Sequence, residues 1–221
     1  MSQSLVITLR EGLEAALIIA IILAYLRRVD YPSGIPAVWW GVAGAVVMSL
    51  AAAGLIFALG TALEGRAEEV FEGVAMLLAV AVLAWMVVWM KHEARHVKGR
   101  LEARVQAALH GGSTVALASL AFVAVGREGL ETALFLFAAS KTATPLATLA
   151  GAIAGLSVAV VLGIAFARGS RLLDLKAFFN VTGVLLIFIA AGLLARGIHE
   201  LQEAMDEQGR LQDEIEAAGA W

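Results

Sequence analysis

The chain of 221 residues contains no cysteine, which removes disulfides, thiolate metal sites and iron–sulfur clusters from consideration. Proline is nearly absent, and Pro32, Pro36 and Pro145 all fall between apolar stretches, so no stretch is broken by a residue that cannot continue a helix. Charge is scarce as well. Only 16% of residues are charged against 61% hydrophobic, and the mean hydropathy is +0.85, far too apolar for a soluble domain of this length. No Walker A sequence is present, so the chain carries no nucleotide-driven engine of that kind. Neither a resident cofactor nor a nucleic-acid partner is expected; the expected surroundings are a lipid bilayer.

What is present is a series of long apolar runs. Six are each about 20 residues or longer, enough to cross roughly 30 Å of hydrocarbon. They run from Ser4 to Leu26, Ala37 to Leu63, Glu69 to Met90, Ser113 to Ala139, Pro145 to Ala167 and Leu175 to Ala195. The first lacks a basic leader and is interrupted by Arg10-Glu11, so it reads as an uncleaved span. Arg27, Arg28, Lys91, Arg95, Lys98, Arg100, Arg104, Arg168, Arg171 and Lys176 cluster in the first, third and fifth connections. The positive-inside rule then makes those connections cytoplasmic and the N-terminus external, in a plasma or inner membrane. The opposite face collects acid: Glu64, Glu68, Glu69 and Glu72, then Glu200, Glu203, Asp206 and the residues beyond. The expected organisation is a three-helix unit over 4–90, a basic cytoplasmic linker over 91–112, a second three-helix unit over 113–195, and an external acidic amphipathic segment over 196–221.

Inside this hydrocarbon the sequence Arg-Glu-Gly-Leu-Glu occurs twice, at Arg10–Glu14 and Arg127–Glu131. Ionisable groups at membrane depth cost roughly 2.5–3.5 kcal/mol each on insertion scales, so they persist where they have work or partners. The copies are 117 residues apart and each opens a set of three spans. An odd number of spans per unit inverts the second unit relative to the first. The expected fold is therefore an all-α polytopic membrane protein, six transmembrane helices in two inverted-topology three-helix repeats, with its site near the midplane between the repeats.

Helix geometry sharpens that expectation. Glu11 and Glu14 share a face at i, i+3, as do Glu128 and Glu131, while Arg10 reaches Glu14 and Arg127 reaches Glu131 at i+4. Gly12 and Gly129 offer close approach to another helix or to a hydrated ion. If the two helices meet antiparallel, four carboxylates converge, with two guanidiniums behind them and a formal charge of −2. An all-oxygen anionic cage favours a hard, highly charged cation.

The segments Leu9-Arg-Glu-Gly-Leu-Glu-Ala-Ala-Leu-Ile18 and Gly126-Arg-Glu-Gly-Leu-Glu-Thr-Ala-Leu-Phe135 resemble the paired signatures of the iron permease family, the oxidase-dependent iron transporters of fungi and bacteria. The similarity continues through Glu69-Val-Phe-Glu72-Gly73, which looks like the family's ExxE element, through Ala190–Leu194 and through His199–Glu203. The resemblance implies import of Fe3+ delivered by an extracytoplasmic iron oxidase or iron-binding partner. It implies iron handling by Glu11, Glu14, Glu128, Glu131, Glu69 and Glu72. Arg10 and Arg127 are then charge-compensating, and Glu64 and Glu68 form an entry funnel. The family pattern has a seventh span after the acidic segment and none follows here before Trp221; the repeat is complete without it, so the six-span core is expected to fold.

Other readings of the same residues remain open. The Arg–Glu clusters also suit a structural network between helices. The acids at Glu64–Glu72 also suit a solvated helix N-terminus. A carrier or channel for Fe2+, Pb2+ or Mn2+ would use the same carboxylates. His92-Glu93-Ala94-Arg95-His96 matches the zinc-protease pattern, in which two histidines bind zinc and the glutamate is the base. It lies among Lys91, Arg95 and Lys98, which repel a metal cation, and no third ligand accompanies it. The expectation is a permease, not an enzyme.

Overall fold

The computed structural model describes residues 2–93, 97–110, 114–168 and 175–219. Seven α-helices account for almost all of them: α1 (Ser2–Arg28), α2 (Ile35–Ala62), α3 (Arg66–Glu93), α4 (Val97–His110), α5 (Thr114–Ser140), α6 (Pro145–Ala167) and α7 (Leu175–Gly219). No strand occurs among the described residues. By length and composition four stretches are fit to cross a membrane, Pro32–Ala62, Arg66–Val88, Pro145–Ala167 and Ala177–Asp206. The helices α1 and α5 are as long but carry the charged motif.

Local chemistry explains where the helices start and stop. Pro36 and Pro145 sit in the first turns of α2 and α6, where the missing N–H costs nothing, and Thr144 caps α6 by accepting from the Ala147 N–H. After α1 the chain turns through Asp30 in the left-handed region at φ 54°, and after α2 through Gly65 at φ 57°. Within the helices, hydroxyls return their donors to the preceding turn: Thr8 to Ser4, Ser49 to Ala45, Thr132 to Glu128 and Ser157 to Ile153. A hydroxyl at membrane depth must find such a partner inside the protein.

Packing pairs each helix of one half with one of the other: α1 lies mainly against α6, α2 against α5, and α3 against α7. Small residues make the crossings close. A Cβ at Gly41 of α2 would run into the backbone of Ala118 in α5, and one at Gly155 of α6 would meet Thr8 Oγ1 and the backbone of Leu5 and Leu9 in α1. Two apolar clusters fill the interior. One joins Ile7 with Met76, Leu83, Met86, Phe135, Ala138, Leu186 and Leu193; the other joins Ile22 and Leu26 with Val38, Val42, Leu101, Val105, Leu117 and Val125. The start of α1 thus meets the end of α5, and the end of α1 meets the start of α5, so the two helices run antiparallel. On both, the charged motif falls between the clusters. Large apolar side chains such as Trp40, Leu146 and Phe188 stand on the outside, where hydrocarbon would receive them.

Two segments add detail to the sequence reading. The 91–112 linker contains a helix. Its helix α4 buries Leu101 and Val105 against α1 and α5, because these two residues, four apart, share a helix face. The boundary drawn at residue 195 falls inside a helix. The sixth apolar run and the acidic segment form one helix of 45 residues, with no proline to end it, about 67 Å long at 1.5 Å per residue. Of the zinc-protease pattern, Ala94, Arg95 and His96 lie outside the described residues, as do the side chains of His92 and Glu93.

Candidate metal centre

Carboxylates from the two antiparallel helices meet between the apolar clusters. Glu11 of α1 and Glu128 and Glu131 of α5 each place an oxygen within 4.8 Å of the others. Glu11 is 1% exposed and Glu128 5%. Glu11 Oε2, Glu128 Oε2 and Glu131 Oε2 are buried and have no hydrogen-bond partner. Buried polar atoms are nearly always satisfied, so three carboxylates each with an unpartnered buried oxygen make a place that a cation or shared protons would fill. All donors are hard oxygens, a set that suits an ion such as iron and offers it no thiolate.

The i, i+4 geometry expected from the sequence is present in both copies. Arg10 Nη2 lies 3.1 Å from Glu14 Oε1, and Arg127 Nε lies 2.7 Å from Glu131 Oε1. Beyond it the copies diverge. Arg10 also donates from Nη1 to Glu11 Oε1 at 3.0 Å and to the thioether sulfur of Met86 at 3.0 Å. Its side chain is 1% exposed, whereas that of Arg127 is 43% exposed. Glu14 is held by Arg10 and is not part of the group of three. Both motif glycines admit a helix: a Cβ on Gly12 would lie 2.9 Å from Ala159 Cβ on α6, and one on Gly129 would lie 2.7 Å from Ser49 Cβ on α2.

The other acids sit near the start of α3. Glu64 is exposed in the turn, Glu68 and Glu69 are half-buried, and Glu72 is buried. Glu72 pairs with Lys141, just past the end of α5. Glu72 and Met86 are 14 positions apart, or about 21 Å along α3, and Met86 touches Arg10, so this group and the central cluster occupy different depths. Met86 and Lys141 are contacts the sequence reading missed. A methionine in an apolar run carries no signal, whereas a lysine outside the basic connections, as Lys141 is, is a signal that could have been used.

The comparisons with known proteins agree with the residues that carry the motif. The model of the iron permease FTR1 family matches residues 1–219. An uncharacterized protein of Archaeoglobus fulgidus is 41% identical over 211 residues, covering 95% of this chain and 73% of its own length. The ferrous iron permease EfeU of Escherichia coli O6:K15:H31 is 41% identical over 200 residues, covering 90% of this chain and 72% of its own. The ferrous iron permease EfeU of Yersinia pestis is 40% identical over 200 residues, with 90% and 71% covered. No solved structure matches. A match along nearly the whole chain, over helices built to cross a membrane, makes this an integral membrane protein that belongs to the iron permease FTR1 family.

Proposed function

We propose that the chain imports iron through the carboxylate cluster of Glu11, Glu128 and Glu131, with Glu14 as a fourth acid held in reserve by Arg10. It works as a transporter, not an enzyme. The observation that carries this reading is the trio of buried, unpartnered carboxylate oxygens drawn from two antiparallel helices in an iron permease. Because both motif copies supply ligands, the reading is one joint site and not two successive ones.

In this reading α1, α2 and α3 form one repeat and α5, α6 and α7 its inverted partner, six spans in all. Exchange of the repeats turns the α1–α6 pairing into α5–α2 and returns α3–α7 to itself, and the packing of these three pairs supports that reading. The basic connections face the cytoplasm and the N-terminus lies outside, which puts Glu64, Glu68, Glu69 and Glu72 at the entrance. Iron reaches the Glu69–Glu72 pair from an external oxidase or binding partner, passes to the central cluster, and leaves inward when one repeat rocks against the other. The membrane potential helps, by about 2.3 kcal/mol per charge per 100 mV, or about 7 kcal/mol for Fe3+.

The resemblance of the motifs points to Fe3+. A second reading, Fe2+, is favoured by the names of the relatives and by charge: four carboxylates and two guanidiniums leave −2, which a divalent ion neutralises. Uptake into proteoliposomes tests both. Glu131→Ala and Glu128→Ala are expected to reduce iron uptake at least about a hundredfold, the scale of losing an essential buried charged contact, while the protein still inserts. Wild-type uptake by either variant overturns the joint site. Uptake of Fe2+ held reduced under anoxia, measured against citrate-buffered Fe3+, decides the valence; competition by Pb2+ and Mn2+ measures how far the site discriminates.

A further inference from the structure

Glu72, the buried acid of the entrance pair, already holds a cation. Lys141 Nζ pairs with Glu72 Oε1, with 23% and 8% of the two side chains exposed. The ammonium also lies 5.5 Å from the centre of the Phe137 ring, which is itself held edge-on by Phe57 and Phe71. The lysine therefore sits in a built seat, with a carboxylate on one side and an aromatic face on another. Its neighbour Thr142 donates to Gln3 Oε1 at 2.8 Å. Two consecutive residues of the α5–α6 turn thus tie that turn to α3 and to the start of α1.

We propose that Lys141 is a tethered stand-in for the incoming metal: it occupies the Glu72 carboxylate at rest, and only a cation able to displace it enters. The inference rests on the reading of Glu69 and Glu72 as the entrance pair. An ammonium on a four-carbon stem is a compact point charge that can swing away without disturbing the backbone. Being tethered, it competes at an effective concentration of order millimolar. A monovalent ion gains no charge by replacing it. A divalent or trivalent ion attracts the carboxylates two or three times as strongly at equal distance and uses both, since Glu69 and Glu72 share a helix face. The same ion repels the freed ammonium. Lys141 thereby sets a threshold of valence at the entrance, ahead of the central cluster.

The test is made on the full chain in lipid nanodiscs, by acetic anhydride labelling of Lys141 read by peptide mass spectrometry. Fe2+ under anoxia is expected to raise labelling of wild-type Lys141 at least about threefold, and Na+ at equal ionic strength is expected to leave it unchanged. Glu72→Gln should label fully without metal and sets the ceiling. Lys141→Gln should tighten Fe2+ binding about tenfold, the loss of a tethered competitor, and Glu72→Gln in the same chain should cancel the gain. No rise in wild-type labelling up to about 10 mM Fe2+, above the effective concentration of the tethered amine, overturns the proposal. So does an equal rise with Na+. The labelling readout needs no variant to fold. It is also independent of flux: a chain that releases Lys141 to Fe2+ but moves no iron keeps this inference and sinks the importer reading. A chain that imports iron with Lys141 unmoved does the reverse.

Discussion

The two copies of Arg-Glu-Gly-Leu-Glu are identical in sequence and unequal in structure. In the first, Arg10 is sealed between Glu11, Glu14 and the Met86 sulfur. In the second, Arg127 bonds Glu131 while nearly half its side chain stays exposed. The first copy gives one carboxylate to the central trio and the second gives two. Each copy has the same formal charge, one guanidinium against two carboxylates, but the buried Arg10 binds both of its acids and holds Glu14 out of the trio. The copy with the exposed arginine keeps its acids available. Sequence symmetry therefore sets where the acids meet, and the neighbours of each arginine set which acids are offered.

The largest effect that comparison predicts is on stability. Arg10→Ala strands Glu11 and Glu14 without their cation in a dry interior, where breaking a buried pair costs about 3–5 kcal/mol. Arg127→Ala removes one half-exposed pair, and pairwise polar links in membrane helices average only about 0.6 kcal/mol. Reversible unfolding from mixed micelles should separate the two by several kcal/mol. Equal losses would mean that the copies are equivalent and that the observed burial of Arg10 is not what holds it.

The motif glycines give a smaller contrast. Gly129→Ala drives a methyl into Ser49, whose Cβ would lie 2.7 Å away and cannot rotate clear. Gly12→Ala meets Ala159 Cβ at 2.9 Å and the flexible tip of Leu156 at 3.2 Å. Overpacking of this kind costs about 1–3 kcal/mol, with Gly129→Ala expected at the upper end and Gly12→Ala at the lower. Adding Ser49→Gly to Gly129→Ala should recover most of the loss. Failure to recover would assign the glycine to the ion path and not to the α2–α5 contact.

Much of this architecture was legible in the sequence because the bilayer imposes long apolar runs, and charges inside them stand out. The i+4 pairs from Arg10 and Arg127 follow from helix geometry alone, and both are found. What was not legible depends on tertiary neighbours. Leu101 and Val105 are two apolar residues in a polar string, and only the surfaces of α1 and α5 make them core. The inequality of the motif copies cannot be read from identical letters, because it comes from residues such as Met86, 76 positions away from Arg10. Glu64 and Glu72 look alike in an acidic run, yet one is exposed and the other is buried against Lys141.

Met86 offers the finest test of the difference between the copies. Its sulfur accepts from Arg10 Nη1, which Glu11 also binds, so the guanidinium keeps its carboxylates when the sulfur is lost. Met86→Leu conserves volume in a packed cluster and should cost less than about 1.5 kcal/mol. If the thioether only steadies Arg10, iron uptake by this variant matches wild type for both valences. A thioether is also a soft ligand, better suited to Fe2+ than to Fe3+. Selective loss of Fe2+ uptake, with stability preserved, would place Met86 on the ion path and make the first copy an active partner in the site. The geometry favours the first outcome, because the sulfur faces a guanidinium whose positive charge keeps a metal cation away.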